Sequence, residues 1–90
     1  METPVNVLRT DVRERIVALL VQAADAQGVR LPSEGESLFD SGVLDSFGLL
    51  ELITVVEEKF NIRISEDDLV PSNFETIARI CSYVSGKLGR

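Results

Sequence analysis

The 90-residue sequence contains no histidine and a single cysteine, Cys81. Without histidine, neither a Ser-His-Asp nor a Cys-His catalytic arrangement can be assembled. The same shortage excludes the usual zinc sites. The acidic stretch Glu66-Asp67-Asp68 lacks the alternating ligands and central glycine of a calcium-binding loop. We therefore expect a protein that has no catalytic residues, holds no metal ion and is not an enzyme.

Long apolar runs are also missing. No apolar stretch approaches the roughly 18 residues that indicate a membrane-spanning helix. The segment Met1-Glu2-Thr3-Pro4 has neither the basic nor the apolar region of a signal peptide. A lone cysteine cannot form an internal disulfide and fits a reducing compartment. We expect a cytoplasmic monomer with no stable membrane insertion, formed by a single domain over residues 1–90.

Positive charge is scarce in the middle of the chain. The net charge is −6, but residues 31–78 alone hold eleven acidic side chains against Lys59 and Arg63, a balance of −9. Nucleic-acid binding needs a basic surface that neutralises phosphates, so this block argues against it. It favours docking to partners with basic patches, because long-range attraction speeds their encounter.

The apolar spacing that is present predicts helices. Residues 6–26 and Ser46 to Phe60 show apolar side chains at three- and four-residue intervals. A short third helix is expected at 66–70, ending before Pro71. A last helix is expected at 76–88, with either Thr76 as its cap or a capping box formed by Ser72 and Glu75. The sequence predicts an all-α fold.

A long connection covers residues 28–45, where glycine and proline oppose regular structure. A structureless loop of this length is unusual in a compact domain, so it is either functional or held in place. Four apolar side chains could hold it against the helices: Leu38, Phe39, Val43 and Leu44. Between the second and third helices, residues 60–64 are expected to be extended, with their apolar side chains inward.

The second helix has an unusual outer face. Asp45 is expected to cap the helix by accepting the backbone N–H of Phe47 or Gly48, which makes Ser46 its first residue. Exposed apolar groups beside carboxylates are typical of a docking surface. The alternative is that Phe47 and Leu50 pack under the long loop. The predicted outer face consists of Phe47, Leu50, Glu51, Thr54, Glu57 and Glu58.

The run Phe-Asp-Ser-Gly-Val-Leu-Asp-Ser-Phe at residues 39–47 resembles the attachment segment of acyl and peptidyl carrier proteins. Gly42, Asp45 and Ser46 match that family's motif, and the likeness continues through the second helix, residues 62–64 and the last helix. Phe47 and Gly48 depart from the commoner residues. The run Leu-Asp-Ser-Phe-Gly is similar to discrete carriers of specialised pathways, including aminoacyl, D-alanyl and natural-product carriers.

The resemblance implies a four-helix bundle of acyl-carrier type, with a long loop between helices 1 and 2 and a short helix 3. It implies that 4'-phosphopantetheine, taken from coenzyme A, is attached covalently to Ser46 and carries acyl or aminoacyl intermediates as thioesters. The implied partners are a phosphopantetheinyl transferase, a loading ligase and downstream biosynthetic enzymes with basic docking patches. The sequence does not identify the cargo, because the cargo is bound to the arm and not to residues of the chain.

Two alternatives differ in class from a carrier. One is a non-catalytic four-helix protein-interaction adaptor with no covalent arm, whose second helix only binds partners. The other is a small hydrolase that uses Ser46 as a nucleophile, although no base is visible in the sequence.

Overall fold

The computed structural model describes residues 5–89, with side chains from residue 11 onward. The described chain forms four α-helices and no strand: α1 is Val5–Gln27, α2 is Ser46–Phe60, α3 is Pro71–Phe74 and α4 is Ile77–Lys87. A single 3₁₀ turn, Glu66–Asp68, precedes α3. The all-α prediction and the long loop between α1 and α2 are confirmed. A short third helix is present, but not at the predicted residues. Within residues 5–89, no helix is long and apolar enough to cross a bilayer.

One apolar core joins all four helices and the long loop. From α1, Val12, Ile16, Leu20 and Ala24 are buried at four-residue spacing, so they form one stripe on the helix. The buried residues of α2 belong to the same core, and Leu49 is half-buried against it; they are Leu52, Ile53, Val56 and Phe60. Fully burying a side chain such as Ile16 stabilises the fold by roughly 1.5–3 kcal/mol.

Arg15 ties the middle of α1 to the end of α2. Its guanidinium carbon lies 4.3 Å from the centre of the Phe60 ring, and its Nη2 donates to the carbonyl oxygen of Lys59 at 2.6 Å. The last carbonyl groups of a helix have no partner inside the helix. The contact therefore satisfies one of them and places a positive charge at the negative end of the α2 dipole.

The long loop is held in place as predicted. Leu38, Val43 and Leu44 are buried and Phe39 packs against the core. The backbone N–H of Leu38 donates to the carbonyl of Glu75 at 2.7 Å. The loop is thus pinned both by apolar burial and by a hydrogen bond to the segment before α4.

The third helix is displaced from its predicted position. We expected it at 66–70 with Pro71 as its end; instead, residues 66–68 make only the 3₁₀ turn and α3 begins at Pro71. The first residue of a helix needs no N–H donor, and proline already has the right φ, so Pro71 starts a helix rather than stopping one. This position of α3 buries Phe74, and the centroid of its ring lies 5.3 Å from that of Tyr83.

The start of α4 settles an ambiguity in the sequence. Thr76 is the cap, because its Oγ1 accepts the N–H of Arg79 at 3.0 Å. Cys81 lies on the buried stripe of α4. Burial raises the pKa of the Cys81 thiol, so this group is a protonated core residue near neutral pH.

Candidate functional site

The beginning of α2 is fixed by a side-chain cap. Asp45 has extended backbone angles, φ −122° and ψ −172°, and its Oδ1 accepts the N–H of Gly48 at 2.7 Å. Its carbonyl oxygen accepts the N–H of Leu49 at 2.8 Å. Both bonds are those expected of a residue that caps a helix. The prediction that Asp45 caps through Phe47 or Gly48 is confirmed, with Gly48 as the partner.

Ser46 is the first residue of α2 and is exposed. Two residues earlier, Leu44 is 3% exposed and Val43 is 1% exposed. The N–H groups of Val43 and Leu44 both donate to the carbonyl of Leu38, at 3.0 and 3.1 Å. An exposed serine therefore follows closely after a buried, hydrogen-bonded segment, which positions the start of α2 relative to the rest of the domain.

Gly48, a departure from the commoner residues of the motif, has a structural reason. A Cβ atom at this position would lie 3.2 Å from Asp45 Oδ1 and 3.8 Å from Leu44 Cδ2. The first distance is tighter than ordinary packing, so any larger residue would press on the capping carboxylate. From the sequence alone, a glycine early in a helix would be expected only to reduce helix stability. The structure shows that it makes room for the cap.

The outer face of α2 is open to solvent. Phe47 is 69% exposed and Leu50 is 57% exposed, so neither packs under the long loop. Glu51, Thr54 and Glu58 are also exposed. Two large apolar side chains on the turn that follows Ser46, with carboxylates beside them, form the kind of patch that marks interaction sites.

Glu57 has a contact that the sequence did not reveal. Its side chain is half-buried, and Oε2 accepts the backbone N–H of Ile64 at 2.8 Å. Asn61 adopts the left-handed conformation, with φ 54° and ψ 48°, and so turns the chain back toward α2. Glu57 therefore holds the extended connector. The only sequence signal for this contact is an asparagine at the helix end, a residue that readily adopts the left-handed conformation.

The arrangement can present a covalently attached group but offers no catalytic base that the geometry identifies. A hydroxyl at the first position of a 15-residue helix lies at the positive end of the helix dipole, where unpaired backbone N–H groups favour an attached phosphate. Exposure leaves the oxygen accessible to a modifying enzyme, and the neighbouring outer face supplies a surface for recognition.

Comparison with protein families shows which family this chain belongs to. The model of the phosphopantetheine attachment site matches residues 14–84, which include α2 and the buried anchor before it. The chain belongs to the phosphopantetheine attachment family. Members of this family hold a covalent 4'-phosphopantetheine, so the cofactor predicted from the sequence is confirmed.

Several curated relatives are D-alanyl carrier proteins. The chain is 42% identical over 49 residues to the D-alanyl carrier protein of Streptococcus pyogenes serotype M5, strain Manfredo, and equally to those of serotypes M49 and M1. The match covers 54% of this chain and 62% of each relative. The chain thus spans about three fifths of the length of the curated relatives it matches.

Proposed function

We propose that this chain is a discrete carrier protein that holds an acyl or aminoacyl group on a 4'-phosphopantetheine arm attached to Ser46. The observation that carries the proposal is the exposed Ser46 hydroxyl at the first position of α2, inside the segment that the family model matches. We also propose that residues 1–90 form one carrier domain, that the protein works in the cytoplasm and that it catalyses no reaction itself.

The residues around Ser46 fit a phosphodiester. The Asp45 cap uses the N–H of Gly48, which leaves the first N–H groups of α2 without an intrahelical partner. These groups and the helix dipole stabilise a negative charge at this end, typically by 0.3–1 kcal/mol at an exposed site. When attached, the arm supplies a terminal thiol that carries the cargo as a thioester. Cys81 is buried and does not compete for that role.

The outer face supports docking to partner enzymes. Phe47 and Leu50 provide apolar contact. Glu51, between one and two turns after Ser46, and Glu58, about three turns after it, provide negative charge. We assign this face to the phosphopantetheinyl transferase, to a loading ligase and to downstream enzymes that present basic patches. Glu57 contributes less, since its carboxylate is engaged by Ile64. Charge complementarity raises association rates while allowing fast release, as a shuttle needs.

The D-alanyl carrier relatives favour an aminoacyl cargo. In this chain, the run Leu-Asp-Ser-Phe-Gly at residues 44–48, which resembles that of such carriers, provides the cap and the proposed attachment position. We therefore place the protein with carriers loaded by an aminoacyl-activating ligase.

Intact mass spectrometry tests the attachment. The purified protein is incubated with coenzyme A, magnesium and a broad-specificity phosphopantetheinyl transferase. We expect the mass to rise by one phosphopantetheine, and Ser46→Ala to show no gain. Ser65→Ala is the matched control, because Ser65 is also exposed at a helical start and makes no capping hydrogen bond; it should load normally.

A folded, initially unmodified protein that gains no mass would overturn the carrier proposal and favour the adaptor alternative. Loading of Ser46→Ala would instead show that another hydroxyl accepts the arm.

A further inference from the structure

A groove of about 330 Å³ runs between α1 and α2, close to the attachment position. Gly48, which lines it, lies two residues after Ser46, and Val43 from the buried anchor also lines it. Leu52 and Val55 continue the wall along α2. The groove therefore begins within one helical turn of Ser46, and its volume lies at the small end of the range for ligand sites.

The lining of the groove carries negative charge. Its polar lining consists of Gln22 and Gln27 from α1 and Glu51 from α2, and none of its lining residues is Lys or Arg. Arg15 and Lys59 line a second depression on the same two helices, which adjoins the groove at Leu19 and Gln22. The Glu51 carboxylate favours a ligand with an ammonium group, and the two glutamine amides can accept hydrogen bonds from that group through their oxygens. A carboxylate-bearing ligand would meet a like charge at Glu51.

A tethered ligand needs little affinity to occupy such a groove. A group on a flexible arm has an effective concentration on the order of millimolar near its attachment point. An intrinsic dissociation constant of about 1 mM would then keep the groove filled roughly half of the time. Shallow walls and a few polar contacts are enough for such a weak affinity. They also allow a partner enzyme to remove the cargo from the groove.

We propose that the groove between α1 and α2 holds the aminoacyl end of the loaded arm, with Glu51 facing the cargo's ammonium group. The ligand class is a small aminoacyl thioester, because the apolar wall is short and the only charged lining residue is a carboxylate. This proposal rests on the carrier function and names the cargo class and the resting place of the cargo in this domain.

The test compares two loaded forms that differ only in the ammonium group. The transferase loads the chain with amide-linked analogues of alanyl- and propionyl-coenzyme A, which do not hydrolyse, and with coenzyme A itself as the unloaded reference. Intact mass confirms each product. Backbone amide chemical shifts then report groove occupancy at Ala23, Val43, Gly48 and Val55. We expect the alanyl form to shift these signals at least twofold more than the propionyl form.

Variants separate charge from shape. Glu51→Gln should reduce the alanyl shifts to the propionyl level, while Glu58→Gln, on the same helix but outside the groove, should leave them unchanged. Ala26→Leu places a larger side chain in the groove and should remove the shifts of both forms. Ala18→Leu, an exposed alanine of α1 that lies outside this groove, is its matched control.

The outcomes distinguish the two proposals. If the arm is loaded but the chemical shifts of the groove residues do not change, the groove proposal is overturned and the carrier function is not affected. Equal shifts for the alanyl and propionyl forms overturn the assignment to aminoacyl cargo. A chain that cannot be loaded overturns the carrier function and this inference with it.

Discussion

Replacing Asp45 with alanine should separate the stability of α2 from the chemistry at Ser46. The substitution removes the 2.7 Å bond from Gly48 N–H to Asp45 Oδ1, and losing such a cap costs about 0.5–2 kcal/mol. A loss of 1 kcal/mol lowers the Tm of a domain of this size by about 4–8 °C. Asp45→Asn keeps an acceptor oxygen of similar capping strength, so it should retain most of the stability.

Thermal unfolding followed by circular dichroism measures this effect, with Asp40→Ala as an exposed loop control. The same samples are then incubated with the transferase. Because the cap holds the first turn on which Ser46 lies, we expect Asp45→Ala to load several-fold more slowly even below its Tm. A Tm unchanged in Asp45→Ala, or lowered equally in Asp45→Asn, would refute the capping argument.

Three further predictions concern the rest of the site. Glu57→Ala should cost about 1–3 kcal/mol in denaturant unfolding, because the part-buried N–H of Ile64 loses its acceptor, whereas exposed Glu58→Ala should change little. Cys81 should resist a thiol reagent at neutral pH, since burial raises the pKa of its thiol. The native protein without the arm should therefore show no fast-reacting thiol, whereas the protein that bears phosphopantetheine should show one. Glu51→Lys combined with Glu58→Lys should lower the association rate with a basic partner at low salt, without lowering the Tm; unchanged kinetics would remove the outer face from docking.

The second helix could be predicted to its exact ends because its signals are local. Asp45 provides a cap and Asn61 lies just past the last apolar position, so the bounds Ser46–Phe60 follow from neighbouring residues. The identity of the attachment position depends on the same short stretch. The burial of Val43 and Leu44 likewise follows from apolar residues in a loop that is too long to be left unsupported.

The misplaced third helix and the role of Glu57 depend on contacts that are distant in sequence. Pro71 suits either the end or the beginning of a helix. The choice depends on Phe74, which packs into the core beside Tyr83. Glu57 reaches Ile64 only because Asn61 turns the chain with a positive φ. Periodicity places Glu57 on the outer face, but periodicity carries no information about where the following backbone goes.

Glu51 lies where the two proposed surfaces meet, because it is exposed on the outer face and also lines the groove. A basic residue of a docked enzyme would then compete with the cargo's ammonium group for one carboxylate, so docking would weaken the hold of the groove on the cargo. Titrating a loaded sample with a basic partner should move the groove signals toward those of the unloaded form. Glu58→Gln should weaken docking and leave the resting groove occupied, whereas Glu51→Gln should weaken docking and also empty the groove before any partner is added. If both variants lower the occupancy of the groove equally, that occupancy depends on the general negative charge of α2 and not on the position of Glu51.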